Sequence, residues 1–183
     1  GKADEEQKIK VKKVSIRLPS KKLAAGKRIK LKAKVTPSKA TDSGVTWGVS
    51  NKNATIDREG NLRLKKTAAG KKVTITATAN DGSGRSAYCK ITIMKNAVKS
   101  VKITAPKKSL KAGKTMKLKS TVKATGKKAN KALKWISSNP RYATVSKSGK
   151  LKAKKAGKGR RVTVMAVSTD GTDRKAEVTI AIK

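Results

Sequence analysis

Apolar and polar residues alternate along most of the chain with a period of two. In RIKLKAKV, residues 28–35, every second residue is apolar and the residues between them are lysines. This pattern is typical of a half-buried β-strand with one face toward a core and one toward water. The same alternation predicts strands at VSIRL (14–18), VTW (45–47), ATI (54–56), NLRLK (61–65), VTITATA (73–79) and YCKITIM (88–94).

The series occurs twice. Val14–Val35 aligns without a gap with Val101–Val122, and the second copy predicts strands at VKITA (101–105), TMKLKSTV (115–122), LKW (133–135), ATV (143–145), KLKA (150–153), VTVMAV (162–167) and AEVTIAI (176–182). Clusters of Gly, Pro, Asn, Asp and Ser separate these short segments, and no helical run interrupts them. We therefore predict an all-β chain of two tandem antiparallel β-sandwiches, with a tail at 1–8 and domains at 9–95 and 96–183.

Charge adds a second feature that both copies share. The formal net charge is +39, from 49 basic and 10 acidic residues, and Lys outnumbers Arg 40 to 9. Residues 9–95 hold 22 basic and 4 acidic residues, and residues 96–183 hold 25 and 3. Such a density attracts polyanions through counterion release with little sequence preference, whereas Arg is favoured for bidentate recognition. Exposed lysines also serve solubility and protect edge strands.

Runs of basic residues occur in both copies, including Lys107-Lys108 and Lys127-Lys128. The candidate polyanion-binding residues are Lys65, Lys66, Lys71 and Lys72 in the first copy and Lys154, Lys155, Lys158, Arg160 and Arg161 in the second. Alternation spreads further lysines over whole sheets, so no single surface is selected by the sequence.

Candidate chemistry is sparse elsewhere. The chain has no His and one Cys, which excludes an internal disulfide, the usual zinc spacings and His-dependent catalytic triads. NDGSG (80–84) and TDGTD (169–173) supply too few carboxylates for calcium and are interpreted as hairpin turns. AAGK (68–71) and KAGKGR (155–160) lack the strand, Gly spacing and helix of a phosphate loop. We expect no cofactor, no metal and no enzymatic activity.

The ordered motifs resemble the bacterial immunoglobulin-like domain, group 2. The second copy carries Leu-x-x-Gly at 110–113, Trp-x-Ser-Ser-Asn at 135–139, Ala-Thr-Val at 143–145 and a Gly at 149, and the first copy keeps the Trp, Ser-Asn, Ala-Thr and Gly. The resemblance implies two immunoglobulin-like sandwiches in a secreted or bacterial surface protein, as a spacer, stalk or binding module, without shared catalytic residues. By analogy with that fold, Trp47 and Trp135 are expected on central strands in the core.

The remaining aromatic and sulfur-containing side chains offer little for binding. Tyr88 and Tyr142 lie in different copies and form a poor stacking platform for single-stranded nucleic acid or sugars. Cys89 is in phase with Ile91 and Ile93, which predicts a buried small hydrophobic side chain rather than a nucleophile.

Three hypotheses for function follow. The first is an extracellular or surface module that binds anionic polysaccharides or cell-wall polymers through its lysine-rich faces. The second is a passive stalk or spacer within a larger protein. The third, nucleic-acid binding, follows from charge alone and would be non-specific. No apolar run of 18 residues predicts a membrane span, and we expect a monomer.

Overall fold

Two compact units make up the chain, one ending at Lys95 and the other running from Asn96 to Lys183. We refer to them as domain 1 and domain 2. The computed structural model describes residues 7–183. The first six residues of the predicted tail, 1–8, therefore lie outside the described residues. Ile9 is already attached to domain 1, since its backbone N–H donates to Thr41 Oγ1 at 2.8 Å.

Residues 7–95 of domain 1 contain nine strands in three sheets. They are β1 (Lys13–Arg17), β2 (Lys22–Ala24), β3 (Arg28–Lys30), β4 (Lys32–Thr36), β5 (Val45–Val49), β6 (Ala54–Ile56), β7 (Asn61–Leu64), β8 (Lys72–Ala79) and β9 (Ser86–Met94), with a 3-10 helix at Lys66–Ala68. The sheet orders are β2-β9-β8-β5, β3-β7-β6 and β1-β4.

The core of domain 1 consists of two clusters on the four-stranded sheet. The first cluster lies between that sheet and β3-β7-β6, where Leu23, Leu62, Ile75 and Ile91 are fully buried. The second cluster lies under β1-β4 and joins Val11 and Val14 to Ala77 and Ala79. Burying these aliphatic faces supplies the main stabilisation, about 25 cal/mol for each Å² removed from water.

Domain 2 repeats this arrangement. Its strands are β10 (Val98–Thr104), β11 (Ser109–Leu110), β12 (Thr115–Lys117), β13 (Lys119–Ala124), β14 (Leu133–Ser137), β15 (Ala143–Val145), β16 (Lys150–Ala153), β17 (Arg161–Ser168) and β18 (Lys175–Ile182), with a 3-10 helix at Lys155–Gly157. The sheet orders are β11-β18-β17-β14, β12-β16-β15 and β10-β13. Its core includes Leu118, Leu151, Val164 and Ile180.

The prediction of two antiparallel β-sandwiches is confirmed, with two corrections of detail. Residues 28–35 form two strands rather than one, because the chain changes partner at Leu31: β3 pairs with β7, and β4 pairs with β1. At that point the Leu31 N–H donates to the Gly60 carbonyl at 2.8 Å. The edge strands β2 and β11 also run parallel to β9 and β18, their neighbours in the sheet.

Candidate functional site

The predicted polyanion-binding residues occupy one equivalent place in each domain. Lys65, Lys66, Lys71 and Lys72 lie where domain 1 crosses from β7 in the three-stranded sheet to β8 in the four-stranded sheet. We call residues 65–72 the first crossover and residues 154–161, between β16 and β17, the second crossover. The second holds Lys154, Lys155, Lys158, Arg160 and Arg161, and all nine side chains are exposed.

Backbone hydrogen bonds hold both crossovers in the same conformation. In the first, Ala68 N–H donates to the Lys65 carbonyl at 3.1 Å and Gly70 N–H to the Ile93 carbonyl at 2.8 Å. In the second, Gly157 N–H donates to the Lys154 carbonyl at 3.0 Å and Gly159 N–H to the Ile182 carbonyl at 2.8 Å. Each crossover is thus hydrogen-bonded to the last strand of its own domain. Its basic side chains therefore extend from a backbone whose position is fixed.

A buried small residue anchors the middle of each crossover. Ala68 is 2% exposed in domain 1, and Gly157 is buried at the equivalent place in domain 2. A Cβ on Gly157 would lie 2.6 Å from both the Tyr142 carbonyl oxygen and Ile182 Cδ1. Domain 2 therefore requires glycine where domain 1 accepts alanine.

Tyr142 also orders one of the candidate residues. The Arg160 guanidinium lies over the Tyr142 ring, 5.6 Å from its centroid, a distance at which the ring face attracts a cation. Tyr142 is half-buried against the core of domain 2. The ring thus stabilises the position of a cationic side chain in the second crossover. One face of the ring is therefore not available for stacking against a ligand.

Two further basic residues were missed by the sequence analysis. Arg28 on β3 and Arg63 on β7 are direct partners across the strand pair. With Lys65 and Lys66 they line a cavity of about 370 Å³ at the edge of the first crossover. The register between β3 and β7 brings them together from 35 positions apart in the chain, and no local pattern in the sequence indicates the pair.

The tryptophans lie on edge strands, so the expected central position is wrong. Among the strands that the structure describes, β5 pairs only with β8 and β14 only with β17. Both indoles are half-buried. Trp47 packs against both core clusters of domain 1, and Trp135 packs against the core of domain 2.

A glycine in the facing hairpin accommodates each indole. Gly60 and Gly149 have φ of +88° and +87°, a region that favours glycine. A Cβ on Gly60 would lie 3.1 Å from Trp47 Cε2, and one on Gly149 would lie 2.9 Å from Trp135 Cζ2. The Gly that recurs after the Ala-Thr motif in both copies is therefore required by the turn and by the ring beside it.

Cys89 and Tyr88 face opposite sides of β9. Cys89 is 9% exposed within the first core cluster, and burial raises the pKa of its thiol. Tyr88 is 74% exposed. The thiol is thus kept protonated and away from solvent, while Tyr88 is an isolated exposed ring.

The Asp residues of NDGSG and TDGTD hold backbone amides in the β8–β9 and β17–β18 hairpins. Asp81 Oδ2 accepts from Val11 N at 2.7 Å and Oδ1 from Ser83 N at 2.9 Å. Asp170, fully buried, accepts from Val98 N at 2.8 Å and Thr172 N at 3.1 Å. Each Asp therefore ties the first residues of its domain to its last hairpin.

Neither a metal centre nor a helical membrane span is found in the described part of the chain. Among residues 7–183, no three His, Cys, Asp or Glu side chains are placed to hold a metal ion. No helix there has the length and apolar character needed to cross a bilayer.

These features define a tandem immunoglobulin-like protein built from two β-sandwiches, each with a basic crossover. The family model for the bacterial Ig-like domain (group 2) matches residues 10–91 and 97–180. The chain therefore belongs to that family, which confirms the resemblance found in the sequence.

One relative is an uncharacterized protein of Clostridium acetobutylicum, 33% identical over 153 residues. The match covers 83% of this chain but only 15% of that protein. Similar solved structures include the S-layer protein SbsC (TM-score 0.40, 14% identity, 97% of this chain and 28% of that chain). Drosophila N-cadherin EC1-4 gives a TM-score of 0.36 at 17% identity, covering 94% of this chain and 50% of that chain.

Proposed function

We propose that this protein is a non-enzymatic, secreted or cell-surface tandem module that binds anionic polymers, such as cell-wall or host glycans, through its lysine-rich faces. The observation that carries the proposal is the placement of the basic runs. Two crossovers at the same point of two domains present at least four exposed cationic side chains each on an ordered backbone. A basic array on each domain suits a repeating polyanion, since each array by itself attracts the charged groups of such a polymer.

The few carboxylates do little to neutralise this surface. Between residues 7 and 183 there are seven acidic side chains. Four of them accept hydrogen bonds from backbone amides in their own turns, namely Asp42, Asp57, Asp81 and Asp170. Because the basic side chains are mostly Lys, we expect diffuse attraction with a steep salt dependence rather than recognition of one sequence or one sugar.

A charge-matched pair of variants tests the role of the crossovers. The first replaces Lys65, Lys66, Lys71 and Lys72 with Gln. The control replaces Lys12, Lys13, Lys32 and Lys34, exposed residues of domain 1 outside the crossover, in the same way. Affinity for an immobilised polyanion would be measured between about 0.05 and 0.5 M salt, with a neutral polysaccharide as the blank. We expect a larger loss in the crossover variant, and equal losses would assign binding to the whole surface.

A second candidate function is a passive stalk or spacer. The observation that favours it is the match to only 15% of a much longer uncharacterized relative, within which these domains would be a small part. This candidate predicts negligible binding to every polyanion at about 0.15 M salt, where non-specific electrostatic attraction is strongly reduced. Retained binding of the wild-type protein at that salt concentration would exclude it.

Non-specific nucleic-acid binding and a monomeric state remain predictions of lower rank. The scarcity of Arg and of exposed aromatic side chains favours non-specific binding of nucleic acid if any occurs. Including double-stranded DNA among the immobilised polymers measures that alternative, and sedimentation tests the predicted monomer.

A further inference from the structure

Two arginines distant in sequence lie side by side on the outer face of sheet β3-β7-β6. Arg28 faces Arg63 directly in antiparallel register, and Thr55 on β6 is the next partner of Arg63. All three are exposed. Directly opposed residues in such a pair have Cβ atoms about 4.5–5.5 Å apart, and like charges at that distance destabilise the sheet. An anion held between the two guanidinium groups would remove this repulsion.

The arginine pair lies at the junction of two adjoining cavities. One, of about 320 Å³, continues past Thr55 to Asp57 and Asn61. The other, of about 370 Å³, continues to Lys65 and Lys66. We call the combined depression the arginine groove. Two guanidinium groups, two ammonium groups, one hydroxyl and the Asp57 carboxylate line it.

The walls of the arginine groove are fixed by buried backbone. Gly26 N–H donates to the Leu64 carbonyl at 3.1 Å, and Leu64 is 1% exposed. The stem of Lys66 lies over Gly26 so closely that an added Cβ would be 2.7 Å from Lys66 Cγ. The lysine at the rim is therefore positioned by the glycine beneath it.

Asp57, which lines the groove, already accepts hydrogen bonds within its own turn. Its Oδ1 accepts from Glu59 N and Asn61 N, each at 2.9 Å, and its Oδ2 accepts from Asn61 Nδ2 at 2.8 Å. The hydrogen bonds from Asn61 lower its pKa. In the part of the chain that the structure describes, neither Arg28 nor Arg63 donates a side-chain hydrogen bond to it or to another residue. Their donors are therefore available to a ligand.

We propose that Arg28, Arg63 and Thr55 form a site for a tetrahedral oxyanion, a phosphate or sulfate group carried by an anionic polymer, with Lys65 and Lys66 contacting the next charged unit. A guanidinium group donates two parallel N–H bonds to an oxyanion. A sulfate monoester or a phosphate monoester has three unesterified oxygens in a tetrahedral arrangement, one for each arginine and one for the Thr55 hydroxyl, whereas a carboxylate has two oxygens in one plane. The inference rests on the proposed function and specifies which anionic group of the polymer is bound.

Domain 2 lacks this site although it has the same sheet. The positions equivalent to Arg28, Arg63 and Thr55 hold Thr115, Lys152 and Thr144, which are register partners in β12-β16-β15. The fold therefore does not require two opposed arginines. Domain 1 alone has the donors for oriented recognition, and domain 2 contributes charge.

The decisive test compares two single substitutions of the same type. Arg28→Thr introduces the residue that domain 2 has at that position. Arg17→Thr, on the exposed end of β1, also introduces the domain 2 residue, Thr104, and lowers the net charge equally. Binding to polyphosphate, heparin and polygalacturonate would be measured by calorimetry at about 0.15 M salt, and melting curves would verify that each variant is folded.

We expect Arg28→Thr to weaken polyphosphate or heparin binding by about tenfold, as expected for lost hydrogen bonds to a charged group. Arg17→Thr should weaken it less than about twofold, the effect of one screened charge. Polygalacturonate, which carries carboxylates, should respond equally to both. Whichever of polyphosphate and heparin shows the larger difference identifies phosphate or sulfate as the preferred group.

A third variant separates geometry from charge. Arg63→Lys keeps the charge and removes the planar fork, and it also matches Lys152 of domain 2. We expect a loss of several-fold for the preferred polymer. Equal losses in Arg28→Thr and Arg17→Thr, with no loss in Arg63→Lys, would overturn the site while leaving the proposed function intact. If the wild-type protein binds none of the polymers, the proposed function fails as well.

Discussion

The two domains differ at the end of the sandwich where the first strand begins. In domain 1 this end is apolar, with Val11, Val14, Ala77 and Ala79 packed in the second cluster. In domain 2 the corresponding region buries polar groups, namely Asn130, Ser168, Thr169 and Asp170. Asn130 Nδ2 donates to Thr169 Oγ1 at 3.2 Å, and Thr169 Oγ1 donates to the Ala132 carbonyl at 2.9 Å.

The same backbone fold thus accommodates two different sets of buried side chains at this end of the sandwich. Buried polar groups are tolerated when each has a partner, and no buried side-chain N or O atom among the described residues lacks one. Both domains bury apolar side chains there, including Val98 and Ala166 in domain 2, and domain 2 adds a connected network of buried polar groups. Substitutions should therefore damage the two domains to different extents at equivalent positions.

The largest expected effect is the loss of an indole. Trp47 packs against both clusters of domain 1, whereas Trp135 contacts one. Trp47→Ala should destabilise domain 1 by about 4 kcal/mol and Trp135→Ala should destabilise domain 2 by about 3 kcal/mol, because half-buried rings lose somewhat less than fully buried ones. Differential scanning calorimetry on the two-domain chain would measure both. Equal losses would show that the second cluster adds nothing around Trp47.

The second-largest difference in stability between the two domains is expected when the hairpin carboxylates are removed. Asp170→Ala leaves the Val98 and Thr172 amides without their acceptor in a buried site, at a cost of about 2 to 3 kcal/mol. Asp81→Ala should cost less, since Asp81 is partly exposed and water replaces its oxygens. Urea unfolding of each variant measures the free energy of unfolding. A larger loss of that free energy in Asp81→Ala than in Asp170→Ala would contradict the prediction.

Exchange of the crossover anchors gives a smaller effect. Gly157→Ala introduces the residue that domain 1 has at Ala68, but its Cβ would collide with the Tyr142 carbonyl. We expect domain 2 to lose about 1 to 2 kcal/mol through overpacking. The melting temperature of domain 2 should fall while that of domain 1 stays unchanged. An unchanged melting temperature would mean that the second crossover accommodates the added methyl group without loss of stability.

The smallest expected effect is a loss of stability of domain 1 at low pH. Hydrogen bonds from Ser83 and from the Val11 amide lower the pKa of Asp81 below its ordinary value of 3.8. A lowered pKa in the folded state adds stability that is present above pH 3.8 and is lost as the pH falls through the folded value. Melting curves from pH 7 to pH 2 should show this loss only below about pH 4, and Asp81→Asn should remove that part of the dependence.

Most of the fold could be predicted because alternation with a period of two encodes the strand face directly. The exchange of partners at Leu31 could not, since the alternation of Ile29 and Leu31 continues unbroken into Ala33 and Val35. Period two specifies which side faces the core, and it carries no information on which strand lies alongside.

The candidate site was predictable in part for the same reason. The two crossovers are contiguous in sequence, so their basic residues could be recognised as runs. Arg28 and Arg63 are single residues on separate strands whose proximity depends on register. The half-burial of Trp47 and Trp135 depends in turn on the position of β5 and β14 within their sheets.

The parallel pairs β2–β9 and β11–β18 also bear on how each domain would respond to pulling. When tension is applied to the end of β18, the hydrogen bonds between Ser109–Leu110 and Ala181–Ile182 lie across the direction of force. They are loaded together in shear, whereas the bonds of a hairpin pulled open from its ends break one after another. Each short edge strand is thus placed where its hydrogen bonds to the last strand of the domain resist mechanical extension.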